Sequence, residues 1–234
     1  SIKSAILDSK GENISLTFFP ELKKVSFSTN WLQMYAYDLE KKFLKGWVST
    51  DFKIWKSDMA KNIPNIDYKN AKSDNTLLLK WMKSLYKYGF AKIRGGNKES
   101  GAIIQIANLI GYIRETNYGK FFEVRTEINA VNLAYTNLGL QAHTDNPYRD
   151  PTPTIQILYC IENSASGGDS KVVDGFKAAI LLKEENPEYF DLLSRYCARF
   201  EYNEDGKTHL QSRRPMIELS PDSEIITIRF NNRS

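Results

Sequence analysis

The sequence predicts an α+β or β-barrel-type fold with packing helices, and three observations carry that prediction. Helical periodicity comes first in the main part of the chain, between residues 73 and 111, and strand-like runs dominate after it. A separate β-rich stretch occupies roughly the first fifty residues. No glycine-rich phosphate loop follows a strand, which argues against a doubly wound nucleotide-binding sheet.

The elements follow in order. Ile14-Ser15-Leu16-Thr17-Phe18 and Val25-Ser26-Phe27-Ser28 alternate apolar and polar, as half-buried strands do, and Pro20 and Lys10-Gly11-Glu12 punctuate them. Trp31, Leu32, Met34, Tyr35 and Tyr37 form a dense apolar cluster that reads as core, and Trp47 to Asp67 reads as a connector. Leu78, Trp81, Met82 and Leu85 recur at i, i+3, i+4 and i+7; Ser73 or Asp74 is the expected cap and Gly89 the stop. Phe90–Arg94 is the next strand, ended by Gly95-Gly96. A second amphipathic helix carries Ile103, Ile106, Ala107 and Ile110 up to Gly111. Ile155–Ile161 reads as a buried or half-buried strand, and Gly167-Gly168-Asp169 as a turn into a strand at 170–174. A helix over 176–185 breaks at Pro187 and resumes through Leu192-Leu193, and a last strand covers Glu224–Phe230.

Composition narrows the function classes. With 234 residues, 41% hydrophobic and 26% charged, the chain has the balance of a globular protein. The net charge of +4 comes from scattered residues, with only pairs such as Lys41-Lys42 and Arg213-Arg214, so nucleic acid is not an expected partner. Two distant cysteines, Cys160 and Cys197, do not make a disulfide framework and favour a reducing compartment. No apolar run has the length of a membrane span, so no membrane partner is expected and a cytoplasmic location is.

The organising stretch is Gln141-Ala142-His143-Thr144-Asp145-Asn146-Pro147. On a strand, residues i and i+2 share a face, so His143 and Asp145 would converge on one point with Thr144 turned away. An imidazole and a carboxylate there supply two ligands of a 2-His-1-carboxylate iron site, which needs one more imidazole. Taken alone, the tripeptide also fits a surface histidine beside a turn aspartate.

Further motifs occur together with it: Asn132-Leu133-Ala134-Tyr135-Thr136, Gln156-Ile157-Leu158, Gly167-Gly168-Asp169-Ser170, Val173-Asp174-Gly175-Phe176 and Phe230-Asn231-Asn232. In this order and spacing, over nearly the whole chain, the sequence resembles the γ-butyrobetaine dioxygenase and trimethyllysine dioxygenase family, relatives of taurine dioxygenase. The resemblance implies a double-stranded β-helix (jelly-roll) core with packing helices over residues 55–234, and a small N-terminal β-rich domain over residues 1–54. It implies Fe(II), 2-oxoglutarate as cosubstrate and O2, with ascorbate admissible as an auxiliary, and it admits a homodimer.

By the same resemblance, His143 and Asp145 match the catalytic iron ligands, and Leu158 matches a position beside the 2-oxoglutarate pocket. Tyr118, Phe122 and Tyr135 match aromatic walls around a trimethylammonium group, with Phe122 where the family can carry tryptophan. Asn132 and Asn231 match amides near the substrate carboxylate. Ring faces suit a quaternary ammonium, which has no hydrogen to donate. Each residue also has a plainer reading: Tyr118 and Phe122 as core, Tyr135 packed under the barrel, Asn132 and Asn231 satisfying strand ends.

Two departures from the family stand out. No cysteine or histidine precedes His143, so the structural zinc that the family's N-terminal module often holds is not expected. The family's second iron histidine and its 2-oxoglutarate arginine lie downstream of the Phe-Asn-Asn strand, so the third ligand is expected beyond Ser234, with the C-terminal part of the jelly roll missing. His209, the one other histidine, reads as a surface residue. The expected reaction is hydroxylation of a trimethylammonium carboxylate, γ-butyrobetaine to L-carnitine first. Trimethyllysine or a trimethylammonium phosphonate is the alternative substrate, and a non-catalytic betaine-binding protein the alternative class.

Overall fold

The computed structural model describes residues 1–36, 46–124, 139–163, 167–204 and 206–232. The chain forms two compact units, Ser1–Leu44 and Lys45–Ser234.

The first unit is a three-stranded antiparallel meander, β1 (Ile2–Leu7), β2 (Asn13–Phe18) and β3 (Lys24–Ser28), followed by a short helix, α1 (Thr29–Met34). The β1–β2 turn closes on Asp8, whose carboxylate accepts from the Glu12 amide at 2.8 Å and from Asn13 Nδ2 at 3.0 Å. Gly11 sits there at φ +71°, a conformation that costs a residue with Cβ. Across β2 and β3, Ile14 faces Phe27 and Leu16 faces Val25, so the predicted alternation sets the register. The aromatic cluster after β3 is a correction. Trp31, Met34 and Tyr35 are 51%, 45% and 60% exposed, and Tyr37 lies outside the described residues. Trp31 instead stacks on Phe27 and meets Tyr35 at a tilt, with ring centroids 6.3 and 5.0 Å away. A six-residue helix has too little length to turn four large side chains to one side.

In the second unit, a 3-10 helix at Ser57–Asn62 leads into β4 (Asn65–Asp67), α2 (Tyr68–Ser73), α3 (Asn75–Tyr88), β5 (Lys92–Arg94) and α4 (Ala102–Ile110). Asp74 caps α3, accepting from the amides of Thr76 and Leu77 at 2.8 and 3.1 Å, and Gly89 ends it at φ +76°. The predicted helical stripe is buried: Trp81 packs with Ile66 and Ala71, flanked by Leu78, Met82 and Leu85. The stretch read as a connector contributes a strand, because β4 pairs in parallel with β5. Three residues are too short to show a period.

The C-terminal portion holds α5 (Gly175–Glu185), α6 (Pro187–Arg195), the hairpin β6 (Cys197–Glu204) and β7 (Thr208–Pro215), and the hairpin β8 (Ile217–Leu219) and β9 (Ile225–Ile228). Pro187 opens α6 rather than breaking one helix, as its fixed φ allows. Ala179, Phe190 and Ile217 form the second buried cluster, with Leu182, Leu193 and Ile228 around it. Asp174 ties the portions together: its carboxylate caps α5 through the Lys177 amide and accepts from the Trp55 amide at 2.8 Å.

Two predicted strands carry no ladder among the described residues. In Ile155–Ile161, Ile157, Tyr159 and Ile161 are partly buried and their neighbours exposed, yet the segment is not paired. Residues 170–174 are likewise unpaired. Alternation fixes an extended shape; a strand also needs a partner's amides and carbonyls.

Candidate active site

His143 and Asp145 come together as the sequence predicts, although residues 139–145 form no regular strand. His143 Nε2 lies 3.1 Å from Asp145 Oδ1. Thr144, between them, is held by the chain just after β9. Its amide donates to Phe230 O at 2.7 Å, and the Phe230 amide donates to Thr144 Oγ1 at 3.0 Å. With Thr144 facing Phe230, its two neighbours turn together to the other side.

The pair has the form of a metal-binding pair. Two donors, each about 2.0–2.2 Å from a divalent ion and subtending roughly a right angle, lie about 3 Å apart. His143 Nδ1 is 2.6 Å from the Gln141 carbonyl, which can only accept, so Nδ1 carries the hydrogen. Nε2 then meets the carboxylate lone pair to lone pair unless a cation, metal or proton, lies between them. The far carboxylate oxygen, Oδ2, accepts from Gln156 Nε2, which fixes the rotation of the carboxylate. The side chains are 21% and 41% exposed, so the pair is reachable. No group of three or more potential ligands occurs among the described residues.

An aromatic corner is linked to Asn146, the residue that follows the pair. Thr116 and Gly119 exchange backbone hydrogen bonds at 3.1 and 2.9 Å, a tight turn that Gly119 permits at φ +82° and that presents Tyr118. The Tyr118 and Phe122 rings meet at 5.1 Å with 39° between planes, two adjacent walls rather than two facing ones. Phe122 is 53% exposed, so one wall is open to a ligand. Tyr202 packs edge-on to Tyr118 at 6.0 Å and stacks on Tyr148 at 5.0 Å. The Tyr148 hydroxyl donates to Asn146 Oδ1 at 2.6 Å and lies 3.5 Å from the Tyr118 hydroxyl. Burial, more than any other cause, pushes the Tyr148 phenol well above its ordinary range, so it stays protonated. Tyr148 thus joins the corner to Asn146, the residue after Asp145.

The other predicted residues differ in where they lie. Leu158 is 73% exposed. Asn231 donates from Nδ2 to Thr144 O at 3.3 Å, within the clamp around the pair. Asn132 and Tyr135 lie outside the described residues. His209 is on the β6–β7 hairpin, 54% exposed, with Nε2 2.8 Å from Glu201 Oε1. Sequence reasoning missed Tyr148, Tyr202 and Gln156 as parts of this region. Gln156 stood inside a recognised motif, but only the approach of two extended segments reveals its partner.

The comparison with known proteins decides the family. The profile of the taurine catabolism dioxygenase TauD, TfdA family matches residues 53–234. The chain belongs to this family. It is 29% identical over 237 residues to the γ-butyrobetaine dioxygenase of Homo sapiens, covering 99% of the chain and 59% of that protein. It is 32% identical over 207 residues to the γ-butyrobetaine dioxygenase of Pseudomonas sp. (strain AK-1), covering 88% and 53%. The mitochondrial trimethyllysine dioxygenase of Homo sapiens is 29% identical over 219 residues, covering 92% and 51%. The chain therefore spans between about half and three-fifths of the length of these relatives. The resemblance first seen in the motifs of this TauD-type chain is a family relationship. Among the described residues, no helix is long and apolar enough to cross a membrane.

Proposed function

We propose that this chain carries part of the active site of an Fe(II)- and 2-oxoglutarate-dependent hydroxylase acting on a trimethylammonium carboxylate, with γ-butyrobetaine converted to L-carnitine as the favoured reaction. The observation that carries the proposal is the 3.1 Å approach of His143 Nε2 and Asp145 Oδ1, in a TauD-family chain whose aromatic corner is linked to the next residue, Asn146. The names of the relatives, γ-butyrobetaine and trimethyllysine dioxygenases, support the substrate class.

Bound iron would supply oxidative decarboxylation of 2-oxoglutarate: one atom of O2 enters succinate, CO2 leaves, and the other atom enters the substrate C–H bond as hydroxyl. His143 and Asp145 would be two of its protein ligands. Gln156 holds the Asp145 carboxylate so that Oδ1 faces His143. Tyr118 and Phe122 would receive the trimethylammonium group on their ring faces, at roughly 0.5–2 kcal/mol per contact. That grip orients the substrate chain, and orientation toward the reactive centre is the protein's main contribution. Thr144–Phe230 and β8–β9 would belong to a double-stranded β-helix.

The test uses the full-length natural protein with Fe(II), 2-oxoglutarate and O2. Succinate forms in step with consumption of γ-butyrobetaine, and faster than with trimethyllysine. Equal or faster turnover of trimethyllysine would move the substrate assignment. Betaine binding with no succinate from any of these substrates would favour a binding protein over an enzyme.

A further inference from the structure

We propose that Arg229 is a positioning residue for the His143–Asp145 pair: its buried guanidinium holds the Pro147 carbonyl and thereby fixes the turn that directly follows both ligands. The inference rests on the reading of the pair as a metal site.

Three groups close a triangle. Arg229 Nη1 donates to Pro147 O at 3.2 Å and to Ser212 Oγ at 3.0 Å, and Ser212 Oγ donates to Pro147 O at 2.7 Å. All three residues are buried; Arg229 is 3% exposed. Pro147 lies two residues after Asp145. The following residues grip the other side of that aspartate: Phe230 pairs with Thr144, and Asn231 Nδ2 donates to Thr144 O at 3.3 Å. Residues 229–231 therefore hold 144–147 on both sides of Asp145. They are themselves anchored at the junction of β7 and β8 through the Arg229 amide, which donates to Met216 O at 2.8 Å.

A purely packing role fits this arginine poorly. Burial disfavours its charge and pulls its pKa down from the ordinary value, while Asp150 and Glu218 act in the opposite sense. Its Nε is buried with no hydrogen-bond partner. An apolar side chain of similar volume is commonly as stabilising at such a place, or more so. What an apolar side chain cannot do is hold a carbonyl. The geometry places Arg229 where that hold sets the backbone of the ligand turn.

The experiment is a Co(II) titration of the full-length natural protein, followed by the visible absorption of the bound ion, well below the unfolding temperature. Arg229→Met is expected to weaken Co(II) binding by about 10–100-fold, the usual cost of losing a group that orients a ligand. Arg229→Lys keeps one donor and recovers part of the loss. Ser212→Ala removes one corner of the triangle and weakens binding by about 2–5-fold, which keeps the test open if Arg229→Met does not fold. Phe190→Leu, in the second buried cluster, is the control: it lowers the melting temperature and leaves affinity unchanged. Wild-type affinity in both Arg229→Met and Ser212→Ala, or the same loss in Phe190→Leu, would overturn the positioning role. No Co(II) binding by the wild type would instead overturn the metal-site reading itself, and the inference with it.

Discussion

Removing one oxygen atom, in Tyr148→Phe, tests how the aromatic corner is joined to the ligand turn. Tyr148 is 7% exposed, and its hydroxyl donates to Asn146 Oδ1 at 2.6 Å. Asn146 sits at φ +52°, a left-handed conformation that asparagine tolerates better than most residues and that this bond helps to hold. The contact with the Tyr118 hydroxyl, at 3.5 Å, is at the limit of a hydrogen bond and contributes little. The substitution leaves the ring in place, so no cavity forms, and the half-buried Asn146 amide can reach water. The expected cost is therefore that of one ordinary hydrogen bond, about 1 kcal/mol, or a fall of about 2–4 °C in the melting temperature of a unit this size. The cost also has a pH signature. The folded phenol titrates above its unfolded value, which is near 10. Below about pH 10 both states hold the proton and the full difference is present. As pH rises past 10, the unfolded wild type loses its proton first, so wild type loses stability that the phenylalanine variant does not. Denaturant unfolding of both proteins from pH 7 to 10.5 should show a gap of about 1 kcal/mol that narrows above pH 10. A variant as stable as wild type at pH 7, or a gap that does not narrow, would refute the reasoning.

Two more changes test separate parts of the account. Asp74→Ala removes a cap that satisfies two amides of α3 and should cost about 1 kcal/mol, read as a lower midpoint in urea at unchanged slope; no shift would mean the cap contributes nothing. Phe122→Trp enlarges the open wall of the corner and should tighten γ-butyrobetaine binding about 2–5-fold in calorimetry, while unchanged or weaker binding would place the cation elsewhere.

What the sequence made legible follows from how local each signal is. The capped helix at Asn75–Tyr88, its stop at Gly89 and the Pro187 start of α6 are written in adjacent residues, and the structure has them. The convergence of His143 and Asp145 needed only their i, i+2 spacing around a Thr144 held by Phe230, so it holds without a regular strand. Pairing is a different matter. The parallel match of β4 with β5 joins residues about 27 positions apart through three-residue strands, with no period to read. In the β6–β7 hairpin, which carries Tyr202 and Ser212, Ala198, Phe200 and Tyr202 alternate with Arg199, Glu201 and Asn203 along β6, an apolar face the sequence reading passed over, whereas β7 sets Leu210 among polar neighbours and has no comparable face. Tyr148 and Gln156 were visible as residues but not as partners. Their roles depend on where Tyr118, Asn146 and Asp145 lie in space. The opposite error arose at Trp31 and Tyr35, where hydrophobicity alone suggested core and a short helix leaves the rings exposed.

The most direct test of the central claim is anaerobic Fe(II) binding by the full-length natural protein, compared with His143→Ala and Asp145→Ala. The account predicts one tightly held Fe(II) per chain in the wild type. It predicts that each substitution weakens binding by at least about 100-fold, about 2.7 kcal/mol, because each removes a ligand rather than a neighbour of one. Iron held as tightly by both variants as by the wild type would contradict it, and would place the metal away from the pair that organises this reading.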